Sequence, residues 1–388
     1  MVRTVQQINQ KIKKGDALVM TAEEIIDVVR REGVDKATKE VDVVTTGTFG
    51  AMCSSGAFLN FGHSEPPIKM QKVWLNDVPA YTGLAAVDAY IGATELRENG
   101  NMDYGGANVI EELIAGKPIH LKAIAYGTDC YPRRKIETYV SLKTLNQAYI
   151  YNPRNAYQNY SVATNSSDTT LFTYMGKLLS NYGNATYSSA GQLSPLLNDP
   201  ECRTIGIGTR IFLGGAKGYV AWQGTQFNTR TPMKNNVPTR ASRTLAVIGD
   251  MKQMSTEYMR ALDFRKYGMS LAVGIGVPIP ILDEQMMKCV AISDKDIFAP
   301  VLDYSIQSRN RKPIKEVSYA QLRSGAIELF GKKVKTSSLS SYYLARQIAE
   351  KLKGMIQKGE FLLTEPVERL PEDMAFEPLD IVSKEEVK

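Results

Sequence analysis

Short apolar runs that alternate with helical patterns are the feature that most restricts the fold of this chain. The run "HLKAIAYGT" (120–128) has the length and composition of a buried strand, and "ANVIEELIAGKP" (107–118) just before it predicts a helix that ends near Gly116. "SLAVGIGVPIPIL" (270–282) predicts another buried strand. A helix followed by a strand, repeated, is typical of α/β domains. We therefore predict an α/β fold, a layered mixed sheet with flanking helices.

Other segments extend this prediction. The N-terminal region predicts two helices, the second in "TAEEIIDVVRREG" (21–33), where Thr21 and Glu24 have the pattern of a helix start and Gly33 that of its end. "EVDVVTTGTFGAM" (40–52) predicts a strand that runs into a turn. The remaining predicted elements are a helix at 83–98, a hairpin at 203–226, a strand followed by a helix at 244–262 and a long helix at 339–360.

The middle of the chain differs in composition from both ends. From Tyr149 to Ser194 it is rich in Asn, Tyr, Ser and Thr and has weak periodicity, which predicts long loops, short helices or an excursion from the main sheet. We expect one continuous unit over 1–365, which would divide near 150–200 if it divides at all, followed by an acidic extended tail over 366–388.

The balance of charged and apolar residues argues against several classes of protein. The 388 residues carry a net charge of +6 with basic and acidic residues interspersed, a pattern that suits an anionic small molecule better than nucleic acid. The longest apolar stretches fall short of the roughly 20 residues of a membrane-spanning helix. Since the N-terminus lacks the apolar core of a signal peptide, we expect a cytoplasmic protein with reduced cysteines and no membrane or nucleic-acid partner.

Sequence patterns for metals and nucleotide cofactors are missing. The chain has no CxxC or HExxH motif, and His63 and His120 lie far apart. Four dispersed cysteines could in principle gather around an iron–sulfur cluster, but they lack its usual spacing. The glycine-rich stretches complete neither G-x-G-x-x-G nor Walker A, and there is no GxSxG motif. We predict no metal and no bound cofactor.

The four cysteines fall into two groups. Cys202 follows an Asp-Pro turn, which predicts a surface or strand-edge position, and Cys289 lies on the apolar face of a predicted helix. Both suit a structural thiol. Cys53 and Cys130 each follow a predicted strand, and the carboxyl ends of strands in α/β sheets form ligand crevices.

The surroundings of Cys130 and Cys53 leave two interpretations open. In "AYGTDCYPRRK" (125–135) the adjacent arginines can favour a thiolate at Cys130, but a packed thiol beside solvated arginines gives the same pattern. Around Cys53, "TGTFGAMCSSGAF" (46–58) offers small residues and backbone N–H groups suited to an anion or oxyanion. A small residue in a tight turn would also explain that stretch.

Four longer blocks of the sequence resemble a known family. They are "VTTGTFGAMCSSGAFLNFGHSEPP" (44–67), "LAAVDAYIGATELRENG" (84–100), "YGGANVIEELIAGKPIHLKAIAYGTDCYPRRKIET" (104–138) and "GIGTRIFLGGAKGYVAWQGTQ" (206–226). Together they are similar to the homocysteine-biosynthesis proteins, the L-aspartate semialdehyde sulfurtransferases of anaerobic archaea and bacteria. The resemblance covers roughly residues 5 to 365. Many archaeal members carry, in addition, a pair of CBS domains after this region.

The resemblance implies a sulfurtransferase that converts L-aspartate 4-semialdehyde into L-homocysteine through a cysteine persulfide. The family's persulfide-forming cysteine falls in "GTDCYP" and is Cys130, and its second characteristic cysteine falls at Cys53. Two electrons must then bring the adduct to the thiol level, which implies an external reductant, a small protein with ferredoxin-type iron–sulfur clusters. As a hypothesis, Cys53 accepts or resolves the persulfide through a transient disulfide with Cys130.

The functional groups of this substrate suggest partners near the two cysteines. The α-carboxylate of the substrate can bind a guanidinium group, and its ammonium group can bind a carboxylate. Backbone N–H groups can stabilise the developing oxyanion, and an imidazole can transfer protons. We predict that Arg133 or Arg134 binds the carboxylate and that Asp129 binds the ammonium group. The backbone of Thr46 and Gly47 is predicted to hold the oxyanion, and His63 to transfer a proton.

Two other interpretations stay open at the level of the sequence. A thiol-dependent aldehyde enzyme of dehydrogenase type would form a thiohemiacetal on cysteine and bind a nicotinamide, against which the incomplete glycine patterns argue. A non-catalytic binding protein would use the Asn- and Tyr-rich middle segment and would not need its cysteines. For a metabolic enzyme of this size we expect a homo-oligomer, and two-fold symmetry is the commonest among soluble oligomers.

Overall fold

The computed structural model of the chain describes residues 2–98, 100, 102–155 and 160–381. Eight α-helices form within these residues: α1 (Val5–Lys14), α2 (Glu24–Glu32), α3 (Val34–Glu40), α4 (Gly106–Ile114), α5 (Pro195–Asn198), α6 (Glu284–Val290), α7 (Tyr319–Arg323) and α8 (Tyr342–Gln357). Three 3₁₀ turns lie at Gly191–Leu193, Met251–Gln253 and Arg265–Tyr267.

The strands of the described residues are short and occur along the whole chain. The first half contains β1 (Val19–Thr21), β2 (Val43–Thr45), β3 (Thr48–Ala51), β4 (Gly56–Asn60), β5 (Lys72–Leu75), β6 (Val78–Ala80), β7 (Asp88–Gly92), β8 (Ile119–Ile124), β9 (Lys135–Val140), β10 (Gln147–Asn155), β11 (Val162–Thr164), β12 (Leu171–Thr173), β13 (Gly176–Leu178) and β14 (Asn184–Tyr187). The second half contains β15 (Gly206–Ile207), β16 (Arg210–Leu213), β17 (Ala216–Gln223), β18 (Met233–Lys234), β19 (Val237–Pro238), β20 (Leu245–Asp250), β21 (Met259–Asp263), β22 (Met269–Gly276), β23 (Pro278–Pro280), β24 (Phe298–Asp303), β25 (Lys315–Ser318), β26 (Ala326–Leu329), β27 (Lys332–Ser338) and β28 (Glu368–Arg369).

Three sheets of the described residues position the candidate site. The largest is antiparallel, in the order β21-β22-β16-β17-β20-β10-β4-β7, with β3 paired to β22 beside this path. The six-stranded sheet β25-β24-β11-β14-β27-β26 is mixed, because β11 runs parallel to β24 and β14 parallel to β27. The small sheet β6-β5-β8-β9 is antiparallel. With the flanking helices, they form the mixed α/β fold that the sequence predicted.

Helix α8 closes the core over the strands that lead to the site. Ser341 begins the helix, since its Oγ accepts a hydrogen bond from the N–H of Leu344 at 3.3 Å. Apolar residues at helical spacing, such as Leu344 and Leu352, are buried in the core shared with β3 and β22. The approach is closest at Gly47, where a Cβ would lie 2.1 Å from the carbonyl oxygen of Ala345. A side chain at this position would therefore displace the helix.

Several predicted elements are confirmed. The helix expected at 107–118 is α4, the strand at 120–128 corresponds to β8, and the hairpin at 203–226 is β16–β17. At the start of α2, Thr21 and Glu24 exchange hydrogen bonds between backbone and side chain at 2.7 and 3.3 Å. Local patterns were sufficient for these elements because caps and periodicity agree with the tertiary contacts.

Two predicted helices are wrong. Residues 83–98 contain the strand β7, since the buried positions Val87, Ala89 and Ile91 alternate with a period of two. The helix expected after the strand in 244–262 is a 3₁₀ turn followed by β21. Strand pairing decides the conformation of both segments, β7 against β4 and β21 against β22, and local periodicity does not report it.

The segment from Tyr149 to Ser194 is an excursion from the main sheet, one of the alternatives that its composition allowed. It completes β10, adds β11 and β14 to the six-stranded sheet and forms the hairpin β12–β13. The first half of the described tail contacts the body of the protein, because β28 pairs with β15, Asp373 forms an ion pair with Arg230, and the carbonyl of Met374 accepts from the N–H of Thr229 at 2.8 Å. Among the described helices, none has the length and apolar character to cross a membrane.

Candidate functional site

Cys53 lies in the turn between β3 and β4. Because β3 pairs with β22, Ser270 lies next to this turn, and its Oγ donates a hydrogen bond to Cys53 Sγ at 3.1 Å. The thiol is half-buried, and burial raises its pKa above the usual 9.0. At neutral pH, Cys53 is therefore a protonated thiol held in one orientation.

A cavity of about 300 Å³ opens beside Cys53, where loops of the largest sheet and of the six-stranded sheet meet. Cavities at such junctions are frequent ligand sites. The polar side chains that line this Cys53 cavity are Ser54, Arg154, Tyr160, Tyr174, Ser188, Gln226, Tyr267 and Arg309.

Two guanidinium groups give the Cys53 cavity its charge. Arg154 lies near the end of β10, and its Nη2 donates to Ser54 Oγ at 3.2 Å, which holds it beside the Cys53 turn. Arg309 follows β24 and is exposed. No Asp or Glu belongs to the described lining of this cavity. Because guanidinium groups bind carboxylates bidentately, the cavity suits a small molecule that carries a carboxylate.

Tyrosine hydroxyls add neutral hydrogen-bonding groups to the cavity. Burial raises the pKa of Tyr160 to about 12 and also raises the pKa of Tyr267. Phenols of this kind stay protonated at neutral pH and can donate to a carbonyl oxygen or an oxyanion. On the same lining, Gln226 has a left-handed φ of 61°, and strained backbone of this kind clusters at ligand sites.

Cys130 lies in the loop between β8 and β9, residues 125–134, which we call the Cys130 loop. The cysteine is exposed, and its Sγ lies 3.7 Å from Thr128 Oγ1. Thr128 and Tyr131 exchange backbone hydrogen bonds at 2.9 and 3.1 Å, which makes the tip a closed turn. The thiol is thus presented to solvent on an ordered turn.

Arg133 secures the Cys130 loop to the segment that follows β4. Its Nε donates to the carbonyl of Pro66 at 2.9 Å and its Nη2 to that of Glu65 at 2.5 Å. On the other side of the loop, the N–H of Tyr126 donates to Gln71 Oε1 at 2.6 Å. The guanidinium is therefore an anchor of the loop, whereas the sequence predicted that it binds the substrate carboxylate.

The other residues predicted near Cys130 surround the same loop. Asp129 is exposed beside it, and Arg134 packs along it. The ring of His63 stacks on Tyr131, with centroids 6.0 Å apart. The structure therefore brings these residues together around the exposed thiol, and their role in substrate binding stays a prediction.

Thr46 and Gly47, which the sequence predicted to hold an oxyanion, are engaged inside the fold. Thr46 Oγ1 donates to the carbonyl of Val277 at 2.7 Å and accepts from its N–H at 3.1 Å. The N–H of Thr46 donates to the same carbonyl at 3.2 Å, and that of Gly47 to the carbonyl of Leu193 at 2.9 Å. These donors hold the link between β2 and β3 in place, so both residues have a structural role here.

The two candidate catalytic cysteines lie at opposite ends of β4. Cys53 precedes Gly56, the first residue of the strand, whereas the Cys130 loop is tied to residues 65–67, beyond its last residue Asn60. At about 3.3 Å per residue, β4 covers about 13 Å, and a disulfide needs Cα atoms within about 7 Å. The strand β3 belongs to the largest sheet and β8 to the small sheet β6-β5-β8-β9, so the two cysteines do not share one ligand crevice at the carboxyl ends of strands, as the sequence suggested. Within one chain, the structure does not bring the two thiols together.

Cys202 and Cys289 have the environment of structural thiols. Cys202 is buried, and not at the surface or at a strand edge as predicted, because its N–H donates to the carbonyl of Asp199 at 3.0 Å in a turn packed into the core. Burial raises its pKa, and burial raises the pKa of Cys289 on α6 to about 11. In the described part of the chain, no three His, Cys, Asp or Glu side chains are grouped so as to hold a metal ion.

The sequence analysis missed the polar lining of the Cys53 cavity. Arg154, Tyr160 and Tyr174 belong to the Asn- and Tyr-rich middle segment, while Tyr267 and Arg309 lie more than a hundred residues after Arg154. The unusual composition of the middle segment was the one signal that pointed to this region. Its residues meet Cys53 through strand pairing between distant parts of the chain, which spacing along the sequence does not encode.

Comparisons with known proteins agree with one another. A family model described as "Homocysteine biosynthesis enzyme, sulfur-incorporation" matches residues 17–363. The chain is 54% identical over 368 residues to the L-aspartate semialdehyde sulfurtransferase of Methanosarcina acetivorans, a match that covers 95% of this chain and 72% of that protein. It is 52% identical over 385 residues to the L-aspartate semialdehyde sulfurtransferase of Methanocaldococcus jannaschii, covering 95% and 74%. An uncharacterized protein of Methanothermobacter thermautotrophicus is 32% identical over 337 residues, covering 84% and 73%. No solved structure matches.

Proposed function

The chain belongs to the family of homocysteine-biosynthesis enzymes that incorporate sulfur, and we propose that it converts L-aspartate 4-semialdehyde into L-homocysteine. Two relatives that are more than half identical to it carry the name L-aspartate semialdehyde sulfurtransferase. The observation that supports the proposal in this chain is the Cys53 cavity, which combines a thiol with two guanidinium groups. An aldehyde that also carries a carboxylate is the kind of ligand that these groups bind.

Arg154 is the residue that we assign to the substrate carboxylate. Its link to Ser54 holds the guanidinium beside the Cys53 turn, and Arg309 supplies a second cation from the exposed side. With the carboxylate bound there, the aldehyde carbon lies within the same cavity as the Cys53 sulfur. The protonated Tyr160 hydroxyl is a suitable donor to the oxygen that becomes negatively charged when sulfur adds to this carbon.

Cys130 acts as the sulfur carrier. Its exposure lets a donor of sulfane sulfur reach it, which leaves a persulfide on Cys130. The sulfur of Cys53 then attacks the outer sulfur of this persulfide, the S–S bond at Cys130 breaks, and the proton of Cys53 passes to Cys130. This exchange consumes no electrons, and it leaves the persulfide in the cavity that holds the aldehyde.

The steps at the aldehyde require a reductant. The outer sulfur of the Cys53 persulfide adds to the aldehyde carbon and gives an α-hydroxy disulfide. Two electrons and two protons split its S–S bond and regenerate Cys53, loss of water gives a thioaldehyde, and two more electrons with two protons give the thiol of homocysteine. Starting from a persulfide, four electrons are therefore needed, two more than the two expected from the sequence, because the S–S bond must also be reduced. We propose that a small iron–sulfur electron carrier of ferredoxin type supplies them.

A single-turnover experiment tests this function. The reduced protein is loaded with a sulfane-sulfur donor, freed of excess donor, and analysed by peptide mass spectrometry, which should find one added sulfur atom on Cys130. Addition of L-aspartate 4-semialdehyde and a strong one-electron reductant should then release up to one L-homocysteine per loaded protein. The unloaded protein and a loaded Cys289→Ser variant are the controls, the first inactive and the second active. If loaded protein gives no homocysteine with either a one-electron carrier or a dithiol, the proposed function is wrong.

A further inference from the structure

We propose that the Cys130 loop of one copy of the chain delivers sulfur to the Cys53 cavity of a second copy. The inference rests on the proposed function, and its basis is the separation of the two thiols by the length of β4. That strand covers about 13 Å, whereas a persulfide lengthens a side chain by one S–S bond of about 2 Å. Delivery within one chain would need the loop to move by a distance on the order of 10 Å.

The anchors of the Cys130 loop oppose such a movement. Arg133 binds two carbonyls of the segment after β4 through its guanidinium, and its own N–H binds the carbonyl of Pro67 at 3.2 Å. The N–H of Ala125 donates to the carbonyl of Arg134 at 2.8 Å, and Gln71 holds the N–H of Tyr126. A swing toward the chain's own cavity would break these bonds together, and a partner that approaches the exposed tip would break none of them.

The tip of the Cys130 loop and the rim of the Cys53 cavity carry side chains that can pair with one another. At the tip of the Cys130 loop, Asp129 is exposed, and 76% of the Tyr126 side chain is accessible. Around the Cys53 cavity, the exposed residues are basic and aromatic, with Arg309 beside Tyr174 and Tyr267. Arg133 and Arg134 make the base of the loop basic, so the complementarity is confined to the tip, where ion pairing between Asp129 and Arg309 would orient the loop.

Two-fold symmetry makes the arrangement reciprocal. In a symmetric pair, each copy contributes one Cys130 loop and one Cys53 cavity, so two identical sites form, and each site contains residues of both chains. The sulfur exchange at such a site is the balanced step already described: one S–S bond forms at Cys53, one breaks at Cys130, and no electrons are gained or lost.

Mixed assemblies test the inference directly. A Cys130→Ala chain and an Arg154→Met chain carry different affinity tags, are produced together, and are purified through both tags so that each assembly contains both variants. All rates are measured with L-aspartate 4-semialdehyde well below the wild-type KM, where the Arg154→Met defect is fully expressed, so each variant alone should have little activity. In a pair, one of the two sites then joins an intact Cys130 to an intact cavity, so the mixed assembly should regain about half of the wild-type turnover. Arg309→Met, a change at an exposed residue, serves as a second cavity variant if Arg154→Met does not fold.

The reverse combination gives the opposite result from the same substitutions. When wild-type chains are paired with chains that carry both Cys130→Ala and Arg154→Met, each site between copies contains one defect, so the mixed pair should be nearly inactive. If each chain works alone, this pair keeps about half of the wild-type turnover, and the first mixture stays inactive.

These outcomes separate the two proposals. Wild-type protein that makes homocysteine while the first mixture stays inactive overturns the delivery between copies and leaves the proposed function intact. Wild-type protein that makes no homocysteine under any reductant overturns the proposed function. Analytical ultracentrifugation under assay conditions completes the test, since a fully active monomer would also overturn delivery between copies.

Discussion

The Cys130 loop and the Cys53 turn are the two regions of this molecule whose difference is most informative. Both place a cysteine in the connection that follows an antiparallel strand, yet one thiol is exposed on an anchored turn and the other is half-buried beside a cavity with two arginines. Burial raises the pKa of Cys53, and a hydroxyl of Ser270 fixes its sulfur. Two cysteines that both lie between antiparallel strands thus differ in their access to solvent.

This difference suggests a division of labour. An exposed thiol can collect sulfur from donors of different sizes, but it offers no shelter for a reactive aldehyde adduct. A thiol in a cavity can protect the adduct and bind a carboxylate next to it, but large donors cannot reach it. Sulfur uptake at one cysteine and carbon–sulfur bond formation at the other would combine both advantages.

Removal of Cys130 should have the largest effect. Cys130→Ala should lower homocysteine formation from a sulfane-sulfur donor by about a thousandfold or more, because the nucleophile that takes up sulfur is lost. The measurement is the steady-state rate with saturating aldehyde and reductant, and Cys202→Ala and Cys289→Ser are matched cysteine controls. Turnover of Cys130→Ala within tenfold of wild type would mean that donors reach Cys53 directly, and the division of labour would fail.

Neutralising the cation beside Cys53 should have the next largest effect. Arg154→Met should lower kcat/KM for L-aspartate 4-semialdehyde by about 100-fold, since charge-assisted bonds to a carboxylate contribute about 3 kcal/mol. The loss should appear mainly in KM, and Arg154→Lys, which keeps the charge without the bidentate geometry, should recover part of it. Persulfide loading of Cys130 should not change. An unchanged KM in Arg154→Met would remove the cavity from the substrate site.

The protonation of Cys53 gives a prediction of moderate size. Its pKa lies above 9.0 because of burial, so the thiolate that reacts with iodoacetamide increases about tenfold for each pH unit from 7 to 9. Peptide mass spectrometry of alkylation rates at a series of pH values measures this, with Cys130 in the same sample as the exposed reference. A rate at Cys53 that levels off below pH 9 would contradict the raised pKa and the assignment of a protonated thiol.

The fold could be predicted from the sequence where local signals agree with tertiary packing. The helix α4 has a clear period and an end near Gly116, the strand β8 follows it as a short apolar run, and both lie where the sequence places them. The helix prediction for residues 83–98 was wrong because the buried positions alternate with a period of two only over a short stretch, and the surrounding residues also suit a helix. The strand β7 is decided by its partner β4, and a partner is not visible in a local pattern.

The candidate site was predictable only in part. The sequence and the family resemblance together singled out Cys53 and Cys130, but not the residues that surround Cys53 in space. Thr46 and Gly47 were expected at the substrate because they lie near Cys53 in sequence, and the structure uses their N–H groups to hold β2 and β3 in place. Arg154, a hundred residues away, lies beside the turn because β10 pairs with β4.

Loosening the Cys130 loop should have the smallest effect. In Arg133→Gln the two guanidinium bonds to the carbonyls of Glu65 and Pro66 are lost, so we expect faster amide hydrogen exchange in the Cys130 loop and about a threefold slower sulfur transfer. KM for the aldehyde should not change. Lys135→Gln, which removes a neighbouring cation paired with Glu137, is the control and should alter neither exchange in the loop nor transfer. A large rise in KM with unchanged exchange would mean that Arg133 binds the substrate, and the exposed loop would then be the place where the carbon–sulfur bond forms.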